Sequence, residues 1–216
     1  MRRLERPEAP SILEQLAKHS TGWDALSPDD RAPIRKALDA MSERGNRTFC
    51  NYCEQLIAHT EKGHIEHLAS RSKHSKLIFD WHNLYLSCKE PEHCGEFKDS
   101  GKGVPYSPDQ LVRPDQEDPE AIFRFFSTGK VQPRPGLDQQ TRERAEKTIE
   151  VLNLNAKKLV NARSATAKQA EAVIFEILED LETLSNEERS IFLEDEIRSF
   201  EGSPFLTTAR QFFLEG

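Results

Sequence analysis

Apolar residues recur at helical spacing near the start of the chain, where we predict helices over residues 8–20 and 28–44. The second helix has a clear start signal at Ser27, a capping serine that is followed by a proline and by two acids that the helix dipole favours. Apolar residues then continue at helical spacing, namely Ile34, Leu38 and Met41. Gly45 ends the run, so the pattern predicts a helical segment at the amino end.

The same spacing returns after Pro135 and continues to the end of the chain. It predicts helices over about 138–162 and 165–184, a third helix after Ser185, and a short last one around residues 205–213. The second of these carries an apolar stripe with acidic residues around it: Val173, Ile174, Ile177, Leu178, Leu181 and Leu184. We expect this stripe to pack inside the protein, and docking of a partner is the alternative interpretation.

Between these helical regions the patterns are short and irregular. Residues 49–97 predict small strands around metal, residues 99–119 an irregular connector, and residues 120–132 a strand pair. The chain as a whole is therefore predicted to be a mostly helical α+β protein. Its expected parts are an N-terminal helical segment (1–45), a metal-binding core (46–113), and a connector with an acidic helical region (114–216).

Composition excludes several classes of protein. With 216 residues, 36% of them hydrophobic and 31% charged, the chain is polar but has the apolar content of a folded protein. No run approaches the roughly 18 consecutive apolar residues of a membrane span, and the basic start of the chain lacks the apolar core of a secretory signal. We therefore expect a cytoplasmic protein whose cysteines are reduced.

Charged residues are unevenly distributed. Residues 1–41 hold seven basic and seven acidic groups, residues 42–113 hold ten of each, and the remaining 103 residues hold 13 basic and 20 acidic groups. The whole net charge of −7 therefore lies in the last part, which we expect to be the least suited to nucleic-acid phosphates. Six of the seven histidines and all four cysteines lie in the neutral middle part, so the metal-binding side chains are concentrated there.

The four cysteines form two spaced pairs. Cys50 and Cys53 make a knuckle with a two-residue gap, and Cys88 and Cys94 follow with five residues between them. Such a set is able to close a tetrahedral four-thiolate zinc site, which would stabilise folding directly. The second gap is longer than usual, so His93 is an alternative fourth ligand. Spaced pairs beside a histidine cluster favour zinc over four unrelated buried cysteines.

An ordered set of polar side chains lies within this cysteine frame. His64-Ile65-Glu66-His67 comes first, Asn83-Leu84 follows before Cys88, and Cys94-Gly95-Glu96-Phe97-Lys98 closes the pattern. Alternate residues of a strand face opposite sides, so Glu66 and His67 reach one site only if the strand is distorted near its end.

This ordered set resembles the HNH (ββα-metal) endonucleases. It resembles more closely the PtuB family, the HNH nuclease component of Septu-type and retron-associated antiphage systems. The resemblance covers about residues 1–163 and includes three further stretches: Tyr106-Ser107-Pro108-Asp109, Asp118-Pro119-Glu120 and residues 144–155. An acidic residue before a histidine is a weak signal by itself, whereas the ordered set with its cysteine frame is strong. Residues 46–113 would then be the nuclease core.

The resemblance implies a role for each of these residues. His67 would be the general base, with the near-neutral pKa that suits this task. Glu66 would bind a catalytic magnesium or manganese ion. Asn83 would either complete the shell of that ion or tie the turn together through backbone hydrogen bonds, and Lys98 would contact the substrate phosphate. The implied partners are a PtuA-like ATPase in a hetero-oligomeric complex and a DNA or RNA substrate, without a membrane.

One position departs from the family pattern. The family has Cys-Gly-His where this chain has Cys94-Gly95-Glu96. A carboxylate is an oxygen ligand that suits magnesium, so we expect Glu96 to be the third ligand of the catalytic ion, with His64 and His93 as alternatives. The departure also favours a second hypothesis, a non-catalytic zinc-dependent module that binds a partner protein. A toxin that cleaves RNA is a third hypothesis, since the same chemistry permits it.

Overall fold

Helices and small sheets alternate along the chain in the computed structural model, which describes residues 1–19, 22–59 and 62–215. About half of the chain is helical, and the predicted α+β class is confirmed. The α-helices of the described residues are α1 (Ile12–His19), α2 (Pro28–Ser42), α3 (Cys94–Asp99), α4 (Pro119–Ile122), α5 (Gln139–Val151), α6 (Lys157–Thr183), α7 (Asn186–Ser199) and α8 (Leu206–Glu215). The strands form three antiparallel pairs: β1 (Glu43–Arg44) with β2 (Arg47–Thr48), β3 (Gly63–His67) with β4 (Leu84–Cys88), and β5 (Phe123–Phe125) with β6 (Val131–Pro133). None of the described helices is long and apolar enough to cross a membrane.

The start signal predicted for α2 is confirmed. The Ser27 hydroxyl accepts the Asp30 N–H at 3.2 Å, and the Asp30 carboxylate accepts the Ser27 N–H at 2.9 Å, so each satisfies a backbone donor at the helix start. Ile34 and Leu38 are fully buried on the face that packs against β4. The helix therefore braces the back of the hairpin that carries the candidate site.

A strand–strand–helix unit is at the centre of the protein. Strands β3 and β4 pair so that His64 faces Ser87 and Glu66 faces Tyr85, and α3 follows β4 after a short turn. Its residues belong to a large apolar core that also includes parts of α1, α2 and α5. Because every residue of β4 is buried, the hairpin is held on both of its faces.

The irregular connector and the strand pair after it are also found as predicted. Between α3 and α4, the regular structure of the described residues is limited to a 3-10 turn at Pro108–Gln110. Strands β5 and β6 are joined through Gly129, which has a positive φ of 79°. A Cβ at Gly129 would overlap the Val160 carbonyl of α6, so glycine permits both the turn and the close approach of that helix.

The predicted break between the first two C-terminal helices is wrong. The sequence pattern places it near residue 164, whereas α5 ends at Val151 and α6 begins at Lys157. Tertiary contacts stabilise the non-helical segment between α5 and α6. The Leu152 carbonyl accepts the Cys94 N–H at 2.8 Å, and the Asn155 amide exchanges two hydrogen bonds with the Val131 backbone. These partners are distant in the chain, so periodicity carries no signal of them.

The C-terminal helices form a second, smaller apolar cluster. It is built from α6, α7 and α8, with Phe200 and Phe213 in edge-to-face contact. Much of the predicted α6 stripe packs against this cluster, which confirms internal packing for Val173, Ile174 and Ile177. Three large apolar side chains of α6 and α7 remain at the surface: Phe175 is 80% exposed, Ile191 66% and Leu178 46%.

Candidate active site and metal centre

The four cysteines converge on one buried point. Cys50 and Cys53 lie on the turn before β3, Cys88 ends β4, and Cys94 begins α3. Their sulfur atoms all lie within 4.8 Å of one another, and all four residues are buried free thiols. The Cys50 and Cys94 sulfurs are 3.8 Å apart, and those of Cys53 and Cys88 are 3.9 Å apart.

This donor set fits a zinc ion. Zinc–sulfur bonds of about 2.3 Å in a tetrahedron place the sulfurs about 3.8 Å apart, which agrees with the observed separations. Burial raises the thiol pKa of Cys53, but contacts with the other three cysteines and with His93 outweigh burial and hold that pKa well below its usual range. A thiolate is therefore favoured at Cys53, as a metal ligand requires.

His93 is the neighbour of this centre. The side chain is fully buried, and its Nδ1 lies 3.2 Å from the Cys94 sulfur and 3.7 Å from the Cys88 sulfur. The four cysteines already supply a complete tetrahedral set, so His93 is placed to hydrogen-bond the sulfurs rather than to replace one of them.

Backbone contacts position the Cys50–Cys53 turn against the hairpin. The Asn51 side-chain carbonyl accepts the Leu86 N–H at 2.7 Å, and the Asn51 N–H donates to the Leu86 carbonyl at 2.9 Å. The turn is thus paired to β4 two residues before Cys88. This pairing brings together cysteines that lie about 40 residues apart in the sequence.

A second group of polar side chains surrounds a cavity of about 200 Å³ in front of β3. His64, Glu66, His67 and Glu96 all line it. Glu66 and His67 therefore reach the same space although they are consecutive residues of one strand, and His67 is the last residue of β3. The structure brings together the residues that the sequence named as catalytic base and metal ligand.

The His67 imidazole is held in one orientation. Its Nε2 lies 3.0 Å from the Ile78 carbonyl, so Nε2 carries the proton and donates it, which leaves Nδ1 as the basic atom. The Trp23 ring packs edge-on against the His67 ring, with 4.5 Å between the two ring centroids. Burial lowers the pKa of His67 to about 4. The near-neutral pKa expected from the sequence is therefore wrong, because a buried imidazole loses solvation on protonation.

We predict that His67 stays neutral well below pH 6. Its ring-proton chemical shifts, measured by NMR between pH 7 and pH 5 and assigned with a His67→Gln variant, should remain constant because the pKa is about 4. Unfolding restores an ordinary histidine pKa of about 6.5. The unfolded state then binds more protons between pH 4 and 6.5, so this residue lowers stability as the pH falls through that window. A titration midpoint above pH 6 would contradict the buried environment.

Glu66 is a buried carboxylate with two close polar neighbours. Lys98 Nζ lies 2.9 Å from its Oε1, and His64 Nε2 lies 3.2 Å from its Oε2. Burial raises the carboxyl pKa, but Lys98 and His64 outweigh it, so the pKa of Glu66 is lowered and the group is charged. A Cβ at Gly95 would overlap this carboxylate, which explains the glycine between Cys94 and Glu96.

The structure corrects the role expected for Lys98. Its side chain has no exposed surface, and its ammonium contacts four oxygens: those of Glu66, Asp99, the Tyr106 hydroxyl and the His67 carbonyl. A phosphate would have to displace these partners. The geometry instead suits a positioning residue that compensates the Glu66 charge and holds the end of β3.

Of the two roles that the sequence left open for Asn83, the structure favours the one in which its side chain ties the turn together through backbone hydrogen bonds. Its carbonyl accepts the Ala69 N–H at 2.6 Å, and its amide donates to the carbonyls of Ala69 at 3.2 Å and Leu77 at 2.9 Å. All of these are backbone bonds across the loop between β3 and β4. Asn83 is not among the residues that line the cavity of Glu66 and His67, so we retain it as the residue that fixes this loop.

His64 and Glu96 complete the cavity wall. Glu96 is about half exposed on the first turn of α3, and its Oε1 lies 3.6 Å from His64 Nδ1, a buried atom without a hydrogen-bond partner. The imidazole thus lies between the carboxylates of Glu66 and Glu96. Two carboxylates and one imidazole form a donor set that fits magnesium or manganese, with the imidazole favouring manganese.

Two residues at the cavity were not found from the sequence. Trp23, in a 3-10 turn before α2, lines this cavity and both of the larger ones beside it, of about 640 and 620 Å³. Arg71 lines the cavity of Glu66 and His67 and the neighbouring cavity of about 640 Å³. Its partly exposed guanidinium contacts Asp24 at 2.6 Å. Trp23 precedes the cysteine frame, Arg71 lies inside it but outside the ordered motif, and neither carries a local signal.

A comparison with known proteins finds a distant relative of this chain. No family model matches the chain. It is similar to the Septu protein PtuB of Bacillus mycoides (strain KBAB4), with 23% identity, 85% of this chain and 73% of the relative being covered. The similarity extends over most of the chain and agrees with the resemblance that the sequence motif indicates.

Proposed function

We propose that this protein is an HNH-type endonuclease, the effector of an antiphage defence system. The observation that carries the proposal is the shared cavity of Glu66 and His67 on a strand–strand–helix unit beside four converging cysteines. The similarity to a Septu protein supports the defence context.

His67 is the general base in this proposal. Its Nε2–H is engaged by the Ile78 carbonyl, so Nδ1 is the atom that takes a proton from the attacking water. Because burial keeps the imidazole neutral, the base is ready to accept a proton at every physiological pH. The low pKa makes it a weaker base, and a nearby anionic phosphate would raise that pKa when substrate binds.

Glu66, Glu96 and His64 would hold the catalytic divalent cation. A magnesium or manganese ion at these residues supplies charge neutralisation at the scissile phosphate. Lys98 keeps the Glu66 carboxylate ionised and in place.

Arg71 replaces Lys98 as the proposed phosphate contact. Its guanidinium is partly exposed, lines the cavity of Glu66 and His67, and is paired with the exposed Asp24 carboxylate. An exposed ion pair of this kind contributes little to stability, so a substrate phosphate is able to displace Asp24 at small cost. Phosphate binding does not read sequence, and DNA and RNA both fit this role.

A metal titration tests the proposal. Protein with its cysteine site loaded with zinc should cleave plasmid DNA or single-stranded RNA only after magnesium or manganese is added, in the presence of the ATPase partner. Cleavage without the added cation would contradict the roles given to Glu66 and Glu96.

A non-catalytic zinc-dependent interaction module is the second candidate. The feature that favours it is Glu96, which stands where the resembling family has histidine. The buried pairing of Lys98 with Glu66 also favours it, because the ammonium occupies one side of the proposed metal ligand. This candidate predicts partner binding that depends on zinc, with no cleavage at any magnesium concentration.

We further propose that the partner ATPase docks on the C-terminal helices. Phe175 and Leu178 are exposed and lie three residues apart, hence on one face of α6. Replacing both with glutamate should abolish co-purification with the ATPase, since buried apolar anchors dominate such interfaces. Zinc content should remain unchanged.

The matched control for this test is Leu214→Glu, which changes an equally exposed leucine on α8. Full-strength association of the Phe175→Glu/Leu178→Glu variant would remove this face as the docking site.

A further inference from the structure

A buried arginine lies next to the cysteine centre although it is far away in the sequence. Arg163, on α6, is only 3% exposed. Its Nη2 donates to the Leu154 carbonyl, whereas Nη1 is buried without a hydrogen-bond partner. Within residues 1–19, 22–59 and 62–215 it forms no ion pair with a carboxylate. A buried guanidinium without a counter-ion is costly, so this position needs an explanation.

The neighbours of Arg163 connect it to the cysteines. Arg163 and Cys53 line the same small enclosed space, together with Leu154 and the Phe125 ring, whose centroid lies 5.6 Å from the guanidinium carbon. The segment between α5 and α6 provides a second connection between Arg163 and the cysteines. The Leu152 carbonyl accepts the Cys94 N–H, and the Leu154 carbonyl accepts the Arg163 guanidinium.

The buried carboxylate of this region does not serve as the counter-ion. Glu54 already contacts the Arg44 guanidinium at 3.3 Å and the Met1 amino group at 2.8 Å, so its charge is compensated. Four thiolates around one Zn²⁺ ion carry a net charge of −2, and this anion is also buried. The unpaired cation therefore lies beside a buried anionic centre.

We infer that Arg163 is the counter-cation of the four-cysteine zinc centre. It does not bind the metal itself, and its positive charge beside the cysteines stabilises bound zinc. Burial lowers the pKa of Arg163 to about 10, while Cys53, Cys94 and Glu54 act in the opposite direction and favour the charged guanidinium. The inference rests on zinc binding at the cysteines and is independent of the proposed nuclease activity. It also links the base of α6, the helix that exposes Phe175, to the metal centre.

The test compares zinc affinity in the full chain with Arg163 replaced by methionine or by lysine. Methionine keeps much of the volume without the charge, and lysine keeps the charge without the fork of donors. We expect Arg163→Met to weaken zinc binding by about 10- to 100-fold, the usual effect of losing an outer-shell partner. Arg163→Lys should retain most of the affinity. Zinc affinity is measured by competition with a chelating dye, and cobalt substitution reports by its absorption whether four thiolates still bind.

Arg6→Met is the matched control, because Arg6 is similarly buried but pairs with Asp115 instead of facing the cysteines. Unchanged zinc affinity in Arg163→Met would overturn the inference, and so would equal losses in Arg163→Met, Arg163→Lys and Arg6→Met. If the methionine variant does not fold, Arg163→Lys decides. Zinc affinity close to that of the wild type supports a charge role, and a loss as large as that of a cysteine variant refutes it.

Discussion

Replacing His67 with alanine should lower the rate of phosphodiester cleavage by roughly 10²- to 10⁴-fold, the usual loss when a general base is removed. His67 lines the cavity, and Nδ1 is its basic atom, since Nε2 is engaged by the Ile78 carbonyl. Cleavage is measured under single-turnover conditions with the ATPase partner present, on both DNA and RNA. Circular dichroism and zinc content should match the wild type, because the cysteine centre does not include His67.

The control is His82→Ala, which removes an exposed histidine outside the cavity. It should cleave at the wild-type rate. If His67→Ala cleaves as fast as His82→Ala, the general-base mechanism is wrong for this chain, and the zinc-dependent interaction module becomes the better account.

Glu66→Gln separates the metal ligand from the base. Glutamine keeps the shape of the side chain against Gly95 but removes the charge that pairs with Lys98. Cleavage should fall about as far as in His67→Ala, because a neutral ligand binds a divalent cation weakly. Raising the magnesium concentration should partly restore Glu66→Gln and should leave His67→Ala unchanged. Rescue of both variants, or of neither, would contradict the separate roles.

Replacing Cys50 or Cys53 with serine should unfold the central part of the protein. Structural zinc contributes an apparent binding free energy of roughly 10–16 kcal/mol in small zinc domains, which exceeds the stability of most domains of this size. The purified wild type should carry one zinc per chain. Each variant should lose that zinc, as measured by atomic emission, together with its cooperative thermal transition.

Tyr52→Phe is the control within the same turn. It removes only a buried hydroxyl that has no hydrogen-bond partner, so zinc content and thermal stability should be kept or increased. A folded wild-type preparation without zinc would overturn the assignment of the cysteine site.

Local features of the chain were readable before any tertiary contact was known. The capping serine Ser27 and the Ser185–Glu188 capping box both begin helices where predicted, since the bonds that start a helix lie within four residues. The spacing of Cys50 and Cys53 indicated a metal-binding turn for the same reason. Glu66, His67 and Glu96 were named from an ordered motif, and the fold brings all three to one cavity.

The tertiary structure decided the role of Lys98 and the pKa of His67, because both depend on contacts with other segments of the chain. Lys98 was expected at a phosphate but is enclosed by oxygens from Glu66, Asp99, Tyr106 and the His67 backbone. The pKa of His67 depends on burial beside Trp23 and Ile78, which an isolated motif does not reveal. A pattern of residue types records which chemistry is available, whereas solvation and charge pairing depend on the distances between atoms that only folding brings together.

The break between α5 and α6 also depends on contacts that are distant in the sequence. Periodicity continued through Leu152–Ala156, because the apolar pattern of a helix does not show where an outside donor such as the Cys94 N–H binds its carbonyls. Arg163 looks like an ordinary helix residue in the sequence, and only its burial beside Cys53 makes it a candidate partner of the metal centre. Helices, turns and ligand spacing are properties of neighbouring residues, while the electrostatics of the two sites depend on contacts between distant residues, such as Trp23 with His67 and Arg163 with Cys53.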